Sequence, residues 1–128
     1  MKYLLDTHIW IWSMSETERL NPAITQALED KRNQLFLSPI SVWEALLLIE
    51  KDRIEVPGRG LEWIEEAFRT TPIFEIPLTI PIAIRSRQLQ LPHQDPADRF
   101  IVATALEYGL RLITVDEKII ESGQVEVL

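Results

Sequence analysis

Apolar residues in this chain fall into short blocks separated by longer, helix-like stretches. Tyr3-Leu4-Leu5 is a compact apolar run ending at Asp6 and reads as a buried first strand. Thr7 to Ser13 reads as a short helix. Asn21-Pro22 pairs a capping side chain with proline in the first turn and opens a helix to about Lys31. Leu35-Phe36-Leu37 predicts a second strand, and Ser38-Pro39 repeats the cap-proline signal for a helix through Glu50. Pro57, Gly58 and Gly60 mark a loop, after which Leu61, Ile64 and Phe68 give helical spacing over Leu61 to Arg69. Phe74-Glu75-Ile76 predicts a third strand and Pro81 to Leu89 a helix. Asp95-Pro96 starts another helix, running to about Tyr108 with Gly109 at its C′ position. Leu112 to Val115 predicts a fourth strand ending at Asp116, and Val125-Glu126-Val127 a fifth at a sheet edge. Strands alternating with helices imply an α/β fold with a mainly parallel sheet.

Composition narrows the picture. With 128 residues and 46% hydrophobic content, the chain suits a single domain, 1–128, with a packed core. There is no cysteine, which excludes disulfides, zinc-thiolate sites and thiol catalysis. The first strand reaches Asp6 too early for a signal-peptide apolar region, and no run approaches the roughly 20 residues of a membrane span. A soluble, cytoplasmic protein is expected. Asp and Glu number 20 against 13 Lys and Arg, a formal charge of −7 that argues against a phosphate-rich partner unless local charge overrides the sum.

The acids are placed suggestively. In a parallel sheet, ligands bind beyond the carboxyl ends of strands, and Asp6 and Asp116 each follow a strand-like run. Asp95 and Asp98, three apart at the start of the late helix, share a face, and Glu44 lies in the helix after the second strand. Convergence of Asp6, Glu44, Asp98 and Asp116 would be costly without a cation, since two carboxylates about 4 Å apart repel by roughly 4 kcal/mol at an effective dielectric near 20. Oxygen-only ligands suit a hard ion, Mg²⁺ or Mn²⁺. Each acid also has a plain structural reading. Asp95 is most simply an N-cap, and Asp98 an acid favoured by the helix dipole. Glu44 completes a Ser41-x-x-Glu44 capping-box spacing, although the start at Ser38-Pro39 places Glu44 inside the helix and frees it. Asp6 and Asp116 also suit turns at strand ends.

Four segments in order carry a family resemblance: Leu4-Leu5-Asp6-Thr7-His8, Ser41-Val42-Trp43-Glu44, His93 through Ala105, and Leu112-Ile113-Thr114-Val115-Asp116. Together they resemble the PIN-domain ribonucleases, and within them the VapC-type toxins of toxin–antitoxin pairs. The resemblance implies a three-layer α/β/α domain with an acidic pocket at one edge of the sheet. It implies metal-site roles for Asp6, Glu44, Asp98 and Asp116, with Asp6 and Asp98 the most direct ligands. Asp95 would cap the helix or support the site, and Thr114 would help hold the last carboxylate or a water. The implied reaction is hydrolysis of RNA phosphodiester bonds by a water that Mg²⁺ or Mn²⁺ activates. The implied partners are a small VapB-like antitoxin, whose tail enters the acidic groove, and a second copy of the chain in a homodimer.

Arg85, Arg87 and Arg99 lie near the acidic helix in sequence and are candidate phosphate contacts, with solvated helix charges, or for Arg99 an acidic neighbour, as the plain alternative. Trp10, Trp12 and Trp43 are expected in the core, with an exposed subset suiting an interface, and His8 and His93 are expected to be structural. A phosphatase of the haloacid-dehalogenase type needs a second aspartate where His8 stands, and a nucleotide switch needs a glycine-rich loop that four glycines do not supply. The remaining alternatives are a PIN-type nuclease acting on DNA or in RNA processing, and a non-catalytic binding module.

Overall fold

The computed structural model describes residues 1–92 and 94–128. Its elements, in chain order, are β1 (Lys2–Leu5), α1 (Thr7–Ser15), a 3₁₀ turn (Thr17–Arg19), α2 (Pro22–Glu29), β2 (Gln34–Leu37), α3 (Pro39–Glu50), α4 (Gly60–Thr70), β3 (Ile73–Glu75), α5 (Ile80–Gln88), α6 (Pro96–Tyr108), β4 (Arg111–Ile113) and α7 (Glu117–Ser122). The strands form one sheet in the order β3-β2-β1-β4, and every pair is parallel. Crossover helices are the means by which parallel neighbours are joined, and they cover both faces of the sheet here.

Alternation along the strands divides the core in two. Tyr3, Leu5, Leu35, Leu37 and Ile113 point to a layer built by α1 to α4, where Trp10 is fully buried. Leu4 and Leu112, with Phe36 packed alongside, point the other way, onto Ile82 of α5, Ile101 and Val102 of α6 and Ile119 of α7. Residues two apart share a face of a strand, so the unbroken apolar runs serve both layers. The expected three-layer α/β/α architecture is therefore present.

The cap-proline pairs act as expected. Asn21, Ser38 and Asp95 each cap a helix whose first residue is proline, their side chains accepting from the backbone N–H groups of Ile24, Ile40 and Asp98. Gly109 ends α6 at φ +64°, a left-handed conformation that costs a side-chain-bearing residue energy. Two short elements, the 3₁₀ turn and α7, have no counterpart in the sequence reading. The expected fifth strand is reduced to a single bridge between Leu112 and Val127, held by Leu112 N–H to the Glu126 carbonyl at 2.9 Å and Leu128 N–H to the Leu112 carbonyl at 3.1 Å. Among the described residues no helix is long and apolar enough to cross a membrane.

Candidate functional site

At the carboxyl edge of the sheet lies a cavity of about 350 Å³. Its walls include Asp6, Glu44, Asp95, Asp98 and Asp116, so all four principal acids and Asp95 meet on one concave surface. They arrive from separate parts of the fold. Asp6 leaves the end of β1 and caps α1, Glu44 projects from α3, and Asp98 stands in the first turn of α6. Asp116 follows β4 and caps α7 through Lys118 and Ile119 N–H. Because β1 and β4 are adjacent and parallel, their ends deliver Asp6 and Asp116 side by side.

Asp6 is held most firmly. It is 8% exposed, and both carboxylate oxygens are engaged: Oδ1 accepts from Thr7 N–H at 2.8 Å and Oδ2 from the Thr114 hydroxyl at 2.6 Å. Burial pushes its pKa upward, and these two hydrogen bonds work against that push. Thr114 thus anchors the first carboxylate rather than the last, while its Oγ1 also accepts the backbone N–H of Asp116 at 3.1 Å.

Glu44 is half-buried, as expected for a side chain inside α3 and free of a capping box. Burial raises its pKa, a hydrogen bond from Thr7 lowers it, and Asp95 and Asp6 raise it further. Thr7 and Ser41 are fully buried with their hydroxyls 2.9 Å apart, and Ser41 lies three residues before Glu44 on α3. Neither hydroxyl was singled out from sequence as a support of the site, although the Asp-Thr and Ser-x-x-Glu spacings carry the signal. Asp98 is pushed up to about 8, first by burial and then by Asp6, Asp95, Asp116 and Glu44. Asp95 caps α6 as expected, its Oδ1 accepting from Asp98 N–H at 3.3 Å.

These donors are carboxylate oxygens of the kind a hard divalent ion prefers. Among the described residues, however, no three His, Asp or Glu side chains already close on a common point as a coordination shell. The acids share a cavity and a strained charge balance rather than a finished cage.

The basic residues require a correction. Among the described residues, Arg99 meets backbone carbonyls rather than an acid. It is 6% exposed, and its Nη groups donate to the carbonyls of Ser86 at 2.9 Å, Leu89 at 3.1 Å and Leu91 at 3.3 Å. Those carbonyls lie at and beyond the end of α5, where helical partners run out, so the guanidinium ties α6 to that terminus. Arg85 pairs with Glu107 of α6 at 3.2 Å, Arg87 is exposed on α5, and neither lines the acidic cavity.

Among the aromatics, Trp10 is core, Trp12 is half-buried on the cavity wall and Trp43 is 55% exposed. His8 is exposed at the rim, its ring 5.8 Å from that of Trp12, whereas His93 lies outside the described residues.

The PIN domain family matches residues 3–123. Ribonuclease VapC22 of Mycobacterium tuberculosis (strain ATCC 25618 / H37Rv) is 37% identical over 119 residues, covering 91% of this chain and 88% of that protein. Solved structures share the fold, these three among them. VapBC2 from Rickettsia felis, bound to a DNA fragment from their promoter, gives a TM-score of 0.76 at 17% identity over 100% of this chain and 98% of that one. VapBC-1 from nontypeable Haemophilus influenzae gives 0.69 at 18% over 100% and 97%. FitAcB from Neisseria gonorrhoeae gives 0.65 at 22% over 98% and 96%.

Proposed function

This chain belongs to the PIN-domain family, and from that premise we propose that it is a divalent-cation-dependent endoribonuclease acting as the toxin of a VapBC-type pair. One observation carries the reading: Asp6, Glu44, Asp98 and Asp116, spread over 110 positions of sequence, line a single cavity at the carboxyl edge of the sheet. The identity to a named ribonuclease supports RNA as substrate. The likeness to structures of VapBC assemblies supports a small antitoxin partner, and we place its tail in the acidic groove.

Mg²⁺ or Mn²⁺ is the cofactor that the donor set fits, with Asp6 and Asp98 as direct ligands and Glu44 and Asp116 completing the negative wall. Such a cation, when bound, supplies charge against the attacked phosphodiester and makes an attacking water more acidic. The protein's own part is positional. The Thr7 N–H and the Thr114 hydroxyl fix the Asp6 carboxylate, the Thr7 hydroxyl steadies Glu44, and the Asp95 cap sets the first turn of α6 from which Asp98 projects. Burial first, and then the crowding of like charge, raise Asp98, and a bound cation would offset both by favouring the ionised acids. We assign the chain to the cytoplasm and to a homodimer on the same family reading.

The test is hydrolysis of mixed RNA with Mg²⁺ or Mn²⁺, with EDTA added, and with Asp98→Asn. Cleavage should require the metal and fall by at least about a hundredfold in the variant, the scale of losing a transition-state contact. Cleavage that persists through both EDTA and Asp98→Asn overturns the assignment.

A further inference from the structure

We propose that a second cavity, adjoining the acidic one across His8 and Trp12, binds the nucleotide next to the scissile phosphate of single-stranded RNA. The proposal rests on the ribonuclease reading above and adds to it the place where the strand is gripped. The cavity measures about 460 Å³, and His8, Trp12, Arg19 and Arg53 are among its lining residues. His8 and Trp12 also line the acidic cavity, so one wall serves both. They stand four residues apart on α1, which puts them on the same helix face.

Three properties of this wall suit a nucleotide. First, it is aromatic and cationic. The Arg19 guanidinium carbon lies 5.2 Å from the Trp12 ring centroid, and the His8 ring, tilted by 55°, lies 5.8 Å from the same indole. Exposed aromatic rings and guanidinium groups accept bases of any sequence by stacking. Second, it brings cations close to the acidic site: among the described residues that line the acidic cavity there is no arginine or lysine, and Arg99 donates to backbone carbonyls. A strand whose scissile phosphate sits among the acids needs positive charge one step away, and Arg19 and Arg53 stand in the adjoining cavity. Third, the arginines are available. Both are exposed, and the Arg19 pair with Glu16, at 3.1 Å, is a surface ion pair of the weak kind that a phosphate displaces readily. Glu16 and Glu55 also line the cavity, so formal charge there is balanced and binding depends on contact rather than long-range attraction. An acidic peptide would satisfy the arginines but would leave the aromatic faces unused and meet the repelling acids next door.

The probe is a fluorescein-labelled single-stranded RNA of mixed sequence, bound in Mg²⁺ to Asp98→Asn protein so that the strand survives. Adding Arg19→Ala with Arg53→Ala should weaken binding about tenfold. It should flatten the plot of log affinity against log salt by about 1.4, at roughly 0.7 per single-strand phosphate contact. Adding Arg87→Ala instead should change neither. Circular dichroism confirms that the exposed substitutions leave the fold intact. RNA carrying thiouridine should photocrosslink to His8 or Trp12. Unchanged affinity, slope and crosslinks in the double arginine variant overturn the subsite even if Asp98→Asn abolishes cleavage, in which case the proposed activity stands alone. Absence of RNA binding by every variant overturns both. Unchanged RNA binding with lost antitoxin binding reassigns this wall to a protein partner.

Discussion

Asp98→Asn should make the metal-free protein more stable at neutral and alkaline pH while disarming it. The carboxyl moves from 3.8 to about 8 on folding. A carboxyl raised in this way adds most to stability below its unfolded pKa, and that contribution disappears as pH rises through the folded value. The window therefore runs from about pH 4 to about pH 8. Four units at roughly 1.4 kcal/mol each set a ceiling near 6 kcal/mol. Asp98 opens onto solvent at the cavity and shares its repulsion with four other acids, so screening brings this to the order of 2 kcal/mol. For 128 residues, an unfolding entropy of about 2.1 cal/mol/K per residue makes that shift worth about 7 °C in Tm. Melting followed by circular dichroism in chelator-treated buffer, from about pH 5 to about pH 9, reads the effect directly. Wild type should lose Tm relative to the variant as pH rises, and saturating Mg²⁺ should restore wild type more than the variant. Parallel curves for the two proteins, or a variant that is the less stable at alkaline pH, would refute the account of Asp98 as a carboxyl raised by burial and by its acidic neighbours.

Two further predictions concern neighbouring groups. Arg99→Met removes a buried cation and strands the carbonyls of Ser86, Leu89 and Leu91, so urea unfolding should show a loss of about 3–5 kcal/mol; a loss below about 1 kcal/mol would mean that these hydrogen bonds contribute little. Thr114→Val deletes the 2.6 Å bond to Asp6 at nearly constant volume, so stability at neutral pH should fall by about 1.5–3 kcal/mol and the Asp6 pKa, followed by NMR titration, should rise; an unmoved Asp6 titration would refute the anchoring role.

What could be read from sequence was what local chemistry decides. Asn21-Pro22, Ser38-Pro39 and Asp95-Pro96 mark helix starts because cap and proline act within one turn, and each does so here. Asp6 and Asp116 stood out as strand-end acids because the preceding residues are apolar enough to be buried on both faces. α7 is not legible for a related reason: Asp116 follows a strand-like run, and its second role as the cap of a six-residue helix has no proline to mark it. The Val125–Val127 segment has strand-like composition, yet only Val127 bridges to Leu112. The partners of Arg99 are carbonyls of a different helix end, which spacing within α6 cannot reveal. Arg19 and Arg53 are hidden from sequence for the same reason. They are distant in sequence from each other and from Asp98, and only the packing of α1 against α3 and the turns beyond them gathers them near the acids.

The double engagement of the Asp6 carboxylate has a practical consequence. Since one oxygen closes the first turn of α1 and the other is clasped from the β4 side of the sheet, this side chain is scaffold and reagent at once. Replacing it would blur loss of chemistry with loss of shape. Anyone needing an inert version, whether for crystallising a complex or for tolerating expression in a living cell, should therefore verify the shape of an Asp6 variant before reading its silence as lost chemistry.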